Sequence, residues 1–222
     1  MNRKSEPNIG ERPTEKAGPD SMAIRQVYGR PLPLPGNDID TDQIIPARFM
    51  RALTFEGIEK HLFEDVRSRR KNQKHPHPLD DPHFSGGSIL IVDDNFGCGS
   101  SREHAAQCLQ RWGIQAIIGL SFAEIFHGNS VSVGMPCFVV SPEDHENLKR
   151  CVHNAPAERM VLDLECETLT FQDFQCPISM PAGMKRRFVN GSWNSLARLL
   201  EAPDRIQECA RSLPYIQWTT TG

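Results

Sequence analysis

Three short apolar runs alternate with helix-like stretches through the middle of the chain, and this alternation limits the fold more than any other feature. The apolar runs are 88–92, 115–120 and 136–140. The helix-like stretches are 101–112, 121–126 and 143–153. In the first stretch, Ala105, Cys108, Leu109 and Trp112 recur at the spacing of one helix face. Strands that alternate with helices form parallel βαβ units, so the sequence predicts an α/β layer.

The segments on either side of this core have a different character. Towards the C-terminus we expect three short strands and then a helix with a break at Pro203, at 159–165, 168–172, 176–180 and 195–213. Three segments precede the core. Residues 29–46 are rich in proline, which excludes a regular helix. Residues 49–66 show a mixed helical pattern, and residues 67–87 form a polar loop. The sequence therefore predicts a single domain over residues 23–222, an α/β layer with a β-rich flank.

Residues 1–22 combine proline, glycine, glutamate and lysine and contain no apolar run. This composition predicts a disordered N-terminal tail and does not fit a secretory signal. No apolar run elsewhere reaches the length that spans a bilayer. We therefore expect a cytoplasmic protein.

Charge and cysteine content exclude several classes of protein. The chain has 25 basic and 28 acidic residues, which removes the electrostatic case for a nucleic-acid or anionic-membrane partner. Its 7 cysteines are scattered and form no C-x-x-C pair. A disulfide framework and a closed zinc site are therefore not expected, and reduced thiols are the plain interpretation.

The junction 93–104, DDNFGCGSSREH, gathers reactive side chains between a strand and a helix. Ligands bind at such strand ends in open α/β sheets, and the N-terminus of a helix favours anions. The residues from Ser100 to Glu103 match the capping-box pattern S-x-x-E, so a capped helix with a surface arginine is one interpretation. The other interpretation is functional. A serine hydroxyl beside Arg102 is placed where an alkoxide is less costly, and Arg102 could hold a carboxylate with two hydrogen bonds.

Known motifs with similar composition do not fit this junction. A P-loop is excluded because no G-K-[ST] follows the glycines, and the hydrolase pattern G-x-S-x-G fails at both serines. Cys98 could be a thiol nucleophile, but a small residue that fills a tight turn is the simpler interpretation.

A second polar segment, NDIDTDQIIPARFMR, covers residues 37–51. Its acidic residues could suggest calcium, but the spacing fits no EF-hand loop, and Asn and Asp more often brace a turn through local hydrogen bonds. Arg48 and Arg51 are either surface charges or point at the same anion as Arg102. Further on, Gly128 and Asn129 follow a short helix and suit a left-handed helix stop.

Taken together, three motifs resemble a known family. The motifs NDIDTDQIIP, GCGSSREH and SFAEIFHGNS occur in the order and spacing typical of 3-isopropylmalate dehydratase small subunits, in the aconitase superfamily. The resemblance runs from about Arg25 to the LPYIQW segment near the C-terminus and so covers nearly the whole predicted domain. It implies a three-layer swivelling β/β/α domain, as in the aconitase C-terminal domain.

The resemblance also implies a division of labour between two chains. A large partner subunit would hold a [4Fe–4S] cluster through its own cysteines, and this chain would bind no metal. The pair would isomerise 2-isopropylmalate and 3-isopropylmalate by dehydration and rehydration in leucine biosynthesis.

Site residues follow from the same resemblance. Ser100 would be the base that removes the proton, with Ser101 as the alternative base or a substrate contact. Arg102 would bind a substrate carboxylate and stabilise the serine alkoxide. Phe49, Met50 and Arg51 match a loop that selects the substrate, where an apolar pair suits an isopropyl group, and Arg48 would assist in binding.

Three other functions stay open at this point. Hydro-lyases acting on homoaconitate, citramalate or dimethylmalate have similar small subunits, and apolar pockets discriminate weakly between near relatives. A stand-alone anion-binding module would need no partner and no Ser100. A hydrolase using Cys98 or Ser100 would be active as this chain alone.

Overall fold

The computed structural model describes residues 22–51, 54–71, 73, 75–100, 102–195, 199 and 202–213. The strands are β1 (Gln26–Leu34), β2 (Gly87–Val92), β3 (Ala116–Gly119), β4 (Cys137–Val139), β5 (Met160–Asp163), β6 (Thr168–Phe171) and β7 (Phe174–Pro177). The helices are α1 (Thr41–Ile44), α2 (Glu64–Arg70), α3 (Glu103–Trp112), α4 (Glu124–Ser132), α5 (Pro142–Asn154), α6 (Ala182–Val189) and α7 (Pro203–Ser212). Short 3₁₀ turns occupy Ala47–Arg51, Ile58–His61, Pro78–Asp80 and Pro82–Phe84.

These strands form one sheet of seven, in the order β4-β3-β2-β1-β5-β6-β7. β1 to β4 pair in parallel, and β5 to β7 pair antiparallel. β1 belongs to both halves, because its residues 26–29 pair antiparallel with β5 and its residues 30–34 pair in parallel with β2. The predicted α/β layer with a β-rich flank is confirmed.

Each strand of the parallel half sends alternate side chains to two separate cores. Leu90 and Val92 face a core built with α1, α3 and the 3₁₀ turns before β2. Ile89 and Ile91 face a second core that also holds Leu162 of β5, with α5 and α6 against it. The sheet is therefore curled, with helices, parallel strands and antiparallel strands in successive layers, as the β/β/α prediction requires.

The strand β1 runs through a segment that the sequence predicts as turns. Pro31 and Pro33 lie inside β1 opposite Ile89 and Ile91 of β2. They are tolerated because this part of β1 pairs with β2 only, so one edge needs no N–H donor. The prediction of turns throughout 29–46 is therefore wrong for the part that β1 occupies. Later in the same segment, α1 forms a single helical turn.

Two predicted helices have different bounds. The stretch 121–126 is not a helix that stops at Gly128, because α4 starts at Glu124 and continues through Gly128 to Ser132. Gly128 has no positive φ, so it makes no left-handed stop. The segment 49–66 is likewise broken into 3₁₀ turns before α2, since Gly57 and Phe63 take left-handed backbone angles there.

At the ends of the chain, Met22 is the first described residue, and its carbonyl accepts a hydrogen bond from Trp193 Nε1 at 2.7 Å. The rest of the predicted tail lies outside the described residues. Near the C-terminus, α7 begins at Pro203, where the sequence predicts a break. None of the helices in the described ranges is long and apolar enough to cross a membrane.

Candidate active site

The loops that follow β1, β2 and β3 meet at one edge of the parallel half. They carry the three motifs NDIDTDQ, DDNFGCGSSREH and SFAEIF. Strand order places β2 between β1 and β3, so the middle loop lies between the other two. Carboxyl ends of neighbouring parallel strands are the usual position of a ligand site in this class of sheet.

Backbone hydrogen bonds join these loops as if the strands continued. On one side of the middle loop, Gly97 N donates to Ile39 O at 2.8 Å and Thr41 N donates to Cys98 O at 3.0 Å. On the other side, Ala123 N donates to Phe96 O at 3.0 Å. The segment that ends at Ser100 is therefore held from both sides before the helix α3 begins.

Polar side chains from the first loop brace the middle loop. Asn95 Nδ2 donates to Asp38 Oδ1 at 2.7 Å, and Asp94 N donates to Asn37 Oδ1 at 3.1 Å. Asp40 caps α1 by accepting from Gln43 N at 2.7 Å. The predicted local bracing holds for Asp40, whereas Asn37 and Asp38 brace the distant middle loop instead. No group of three potential metal ligands occurs in the described part of the chain.

Gly97 sets the direction of the loop. Its φ is +78°, and a Cβ atom there would lie 2.2 Å from Phe126 Cγ. Phe126 is buried in α4 and packs edge-on against Phe96. A side chain at position 97 would therefore meet both backbone strain and a rigid aromatic wall.

Ser100 presents its hydroxyl to solvent. Its carbonyl accepts a hydrogen bond from Thr41 Oγ1 at 2.8 Å, while its own hydroxyl has no partner in the described structure. The capping-box prediction is wrong, because α3 starts at Glu103 and its N-cap is Arg102, without a side-chain cap. The bonds to Ile39 and Thr41 hold residues 97–100 in a non-helical loop, so the helix starts three residues after Ser100.

Arg102 lies directly before the positive end of α3. Its guanidinium Nη2 is 3.5 Å from Asp42 Oδ1, and its side chain is 23% exposed. Asp42 belongs to the first loop, so this ion pair links that loop to the residue that caps α3. Ser100 lies two positions before Arg102 in the same loop.

Arg48 and Phe49 belong to a separate cluster. Arg48 donates to Asp65 Oδ1 at 2.7 Å and to Glu64 Oε1 at 3.0 Å, and Phe49 stacks on His61 with ring centroids 3.7 Å apart. Hydrogen bonds to Asp65 and Glu64 raise the pKa of Arg48. These contacts do not extend to Ser100. Ser101 lies outside the described residues, as do the side chains of Met50 and Arg51.

The thiol of Cys98 is a poor candidate nucleophile. Partial burial raises its pKa, and the nearby carboxylates of Asp40 and Asp38 raise it further. A thiol nucleophile needs the opposite environment, one that stabilises the thiolate. Cys98 instead fills the turn between Gly97 and Gly99.

Asp93 is a supporting residue that the sequence analysis does not identify. Its carboxylate accepts from Gly36 N at 2.7 Å and lies 3.3 Å from Lys149 Nζ, and His145 Nε2 is 3.7 Å away. It ties the loop after β1 and the helix α5 to the first residue after β2. Its position after a strand is the only signal in the sequence, since its partners lie far along the chain.

Comparison with known proteins first identifies the family of this chain. Residues 23–141 match the family described as the aconitase C-terminal domain. The fold is similar to a crystal structure of 3-isopropylmalate dehydratase from Methanocaldococcus jannaschii, with a TM-score of 0.61 and 24% identity, over 82% of this chain and 98% of that one. The chain belongs to the aconitase C-terminal domain family.

Curated relatives narrow the assignment. The chain is 46% identical over 189 residues to a 3-isopropylmalate dehydratase small subunit of Thermus thermophilus, covering 85% of this chain and 94% of the relative. It is 40% identical over 199 residues to the Synechocystis protein of the same name, covering 90% and 98%. Within the aconitase C-terminal domain family, it belongs with the 3-isopropylmalate dehydratase small subunits.

Proposed function

We propose that this chain is the small subunit of a hydro-lyase that interconverts 2-isopropylmalate and 3-isopropylmalate in leucine biosynthesis, active together with a large subunit. The observation that carries the proposal is the meeting of three motifs at one sheet edge, where the exposed Ser100 lies two positions before Arg102, the N-cap of α3. The relatives that match most of the chain carry the corresponding name.

Ser100 is the proposed base. A serine hydroxyl removes a proton only if its alkoxide is stabilised, and two features at this position provide positive potential. One is the N-terminus of α3, and the other is Arg102, which Asp42 holds at 3.5 Å. Because the hydroxyl donates to no other group in the described structure, proton transfer breaks no existing hydrogen bond. Ser101 stays the alternative base.

Arg102 is proposed to bind a carboxylate of the substrate as well. A planar guanidinium suits a carboxylate through paired hydrogen bonds, whereas an ammonium does not. With the substrate carboxylate held beside the Ser100 hydroxyl, the proton on the neighbouring carbon is within the reach of the base.

The large subunit is proposed to hold a [4Fe–4S] cluster. In the described part of this chain no three cysteines, histidines or acids come together, so its own residues do not form a cluster site. The cluster would supply Lewis acidity towards the leaving hydroxyl of the substrate. This chain's share is then proton transfer, carboxylate binding and exclusion of water.

Selection of the isopropyl group is proposed for the segment 48–51. Phe49 lies flat between the Arg48 guanidinium and His61, and Met50 follows it. Because Asp65 and Glu64 hold Arg48, it acts as a support for Phe49 more than as a contact for an anion. A substrate with a third carboxylate, as in homoaconitase, would require a further cation there. Arg51 is the candidate for a direct substrate contact.

The compartment and the domain boundary are part of the same proposal. The structure contains no disulfide among its described cysteines, and free thiols suit the reducing cytoplasm. The free cysteines are Cys98, Cys108, Cys137, Cys151, Cys166, Cys176 and Cys209. Residues 23–222 would then form the single folded domain.

The deciding experiment combines this chain with its large subunit under anaerobic conditions and follows the unsaturated intermediate by absorbance. We expect activity only in the mixture. Ser100→Ala should lower kcat by about 10²–10⁴-fold, the range for loss of a general base, and should leave Tm unchanged. Arg102→Lys should raise KM and lower kcat. Ser101→Ala tests the alternative base, and we expect it to lower kcat much less than Ser100→Ala does. Activity of this chain alone, or full activity of Ser100→Ala, would contradict the proposal.

A further inference from the structure

One face of α4 is left open beside the candidate site. The helix buries Phe126, His127, Ser130 and Val131 on one side. On the opposite side Ile125, Gly128 and Ser132 follow at the spacing of one helix face. We call these three residues the α4 face.

Ile125 is the apolar centre of this face. Its side chain is 56% exposed, the largest exposure among the big apolar residues of the described ranges. At the flank of the face, the Nδ2 atom of Asn129 is buried and has no hydrogen-bond partner. An exposed isoleucine alone is ordinary, and the buried amide of Asn129 is a second feature of α4 that the described residues leave unexplained.

Gly128 is not explained by any contact with the described residues. Its φ is not positive, and a Cβ atom there would meet nothing within 4 Å. Glycine in a helix interior is less favourable than any ordinary residue. A missing side chain does, however, let another backbone approach closely. No described residue of the chain therefore requires glycine at this position.

The α4 face continues the edge that presents Ser100. Phe122, two residues before the first residue of α4, forms a bridge with Phe96 of the middle loop. Ala123 N then donates to Phe96 O at 3.0 Å. A partner that covers the Ser100 loop to complete the site would therefore lie over the start of α4 as well.

We propose that the α4 face is a docking surface for the large subunit. An apolar side chain of the partner packs on Ile125, and a backbone segment of the partner passes over Gly128. The inference rests on the proposed function, because that function requires a large subunit over this edge. It goes further in assigning the contact to residues that take no part in the chemistry.

The test measures association of the intact chain with its cognate large subunit by calorimetric titration. Ile125→Asp and Gly128→Gln should each raise Kd about tenfold or more, as expected at the centre of an interface. The matched control is Tyr28→Asp, because Tyr28 is 53% exposed but lies in the half of β1 that pairs with β5. Tm of each isolated variant should equal or exceed the wild-type value, and kcat at saturating subunit should return to the wild-type value.

Three outcomes would overturn the inference. The first is that Ile125→Asp and Gly128→Gln bind the large subunit with the wild-type Kd. This result would overturn the docking surface even if the wild-type pair converts 3-isopropylmalate and so supports the proposed function. An equal loss in Tyr28→Asp would do so too. Self-association of the isolated chain that Ile125→Asp abolishes would make a second copy the occupant. If the wild-type pair binds without turnover, the proposed function fails while the Kd comparison still decides the docking surface.

Discussion

At the scale of single residues, Gly97 and Ser100 have opposite relations to their surroundings. Gly97 is buried against Phe126 and bonded to Ile39, whereas the Ser100 hydroxyl faces solvent without a partner. The first residue fixes the path of the loop, and the second is left available for chemistry. In the proposed function, the chemistry therefore depends on a residue that contributes little to stability, in a loop whose path is fixed by one that contributes much.

The first prediction concerns Gly97→Ala in the isolated chain. The strain of positive φ and the contact with Phe126 should lower the free energy of unfolding by about 2–4 kcal/mol. Gly128→Ala is the matched control and should raise it by up to about 1 kcal/mol, because that site is helical and open. Denaturant unfolding measures both. Equal effects of the two substitutions would show that residue 97 is not constrained as described.

Residue-scale predictions from the sequence succeeded where the signal was local. The bracing role of Asp40 followed from turn chemistry within three residues, whereas the contact of Asp38 with Asn95 spans 57 positions and was not predictable locally. The capping box at Ser100 failed because bonds to Ile39 and Thr41, about sixty positions away, outweigh a local cap. Asp93 was missed for the same reason, since its partners come from the loop after β1 and from α5.

At the scale of elements, the site is an extension of three parallel strands beyond their regular ends. Ser121 connects the second and third loops, because its hydroxyl accepts from Asn95 N at 2.8 Å and donates to the Asp94 carboxylate. Backbone bonds from Phe96 to Ser121 and from Ala123 to Phe96 continue the pairing. The loops therefore behave as one unit.

The second prediction is that Ser121→Ala loosens this unit. Loss of the hydroxyl leaves Asn95 N–H without its acceptor and should lower the free energy of unfolding by about 1 kcal/mol. In the complete enzyme kcat should fall more than KM rises, because Ser100 is displaced while Arg102 still binds. Ser212→Ala at the exposed end of α7 is the control. Wild-type kcat together with wild-type stability in Ser121→Ala would refute the bracing role.

Elements were predictable where apolar periodicity carried the information. β3 and β4 lie within the predicted runs, β2 starts one residue before its run, and α5 lies close to its predicted bounds. The extension of β1 across Pro31 and Pro33 was not predictable, because it depends on which edge of the strand stays unpaired. The start of α4 at Glu124 depends likewise on the bridge at Phe122, a contact between distant segments.

At the scale of the whole molecule, acid sensitivity is set partly by a buried histidine. His77 is 2% exposed, its Nδ1 accepts from Leu79 N, and its ring lies near Phe63. Its pKa is lowered from 6.5 to about 4, chiefly by burial. The nearby carboxylate of Asp80 raises the pKa, and the positive charges of Arg70 and Arg67 lower it further. Between these two pKa values the unfolded chain binds a proton that the folded chain does not.

The third prediction follows from that difference in proton binding. Stability from His77 is fully present above pH 6.5 and is lost as pH falls towards 4, by at most about 3 kcal/mol. His77→Asn keeps a side-chain acceptor for Leu79 N but does not titrate in this range. Urea unfolding at pH 7 and pH 4.5 should show a smaller loss for the variant. Equal losses for both proteins would assign the acid sensitivity to other groups.

The position of β1 between the two halves of the sheet has a consequence during synthesis. β1 leaves the ribosome first, but its parallel neighbour β2 ends at Val92 and its antiparallel neighbour β5 ends at Asp163. Because domains fold from the N-terminus as the chain emerges, the parallel half can assemble once β4 has appeared, with one side of β1 still bare. That bare edge is a site where nascent chains can pair with each other until β5 arrives. Slow translation between Val139 and Met160 should therefore favour aggregation over folding.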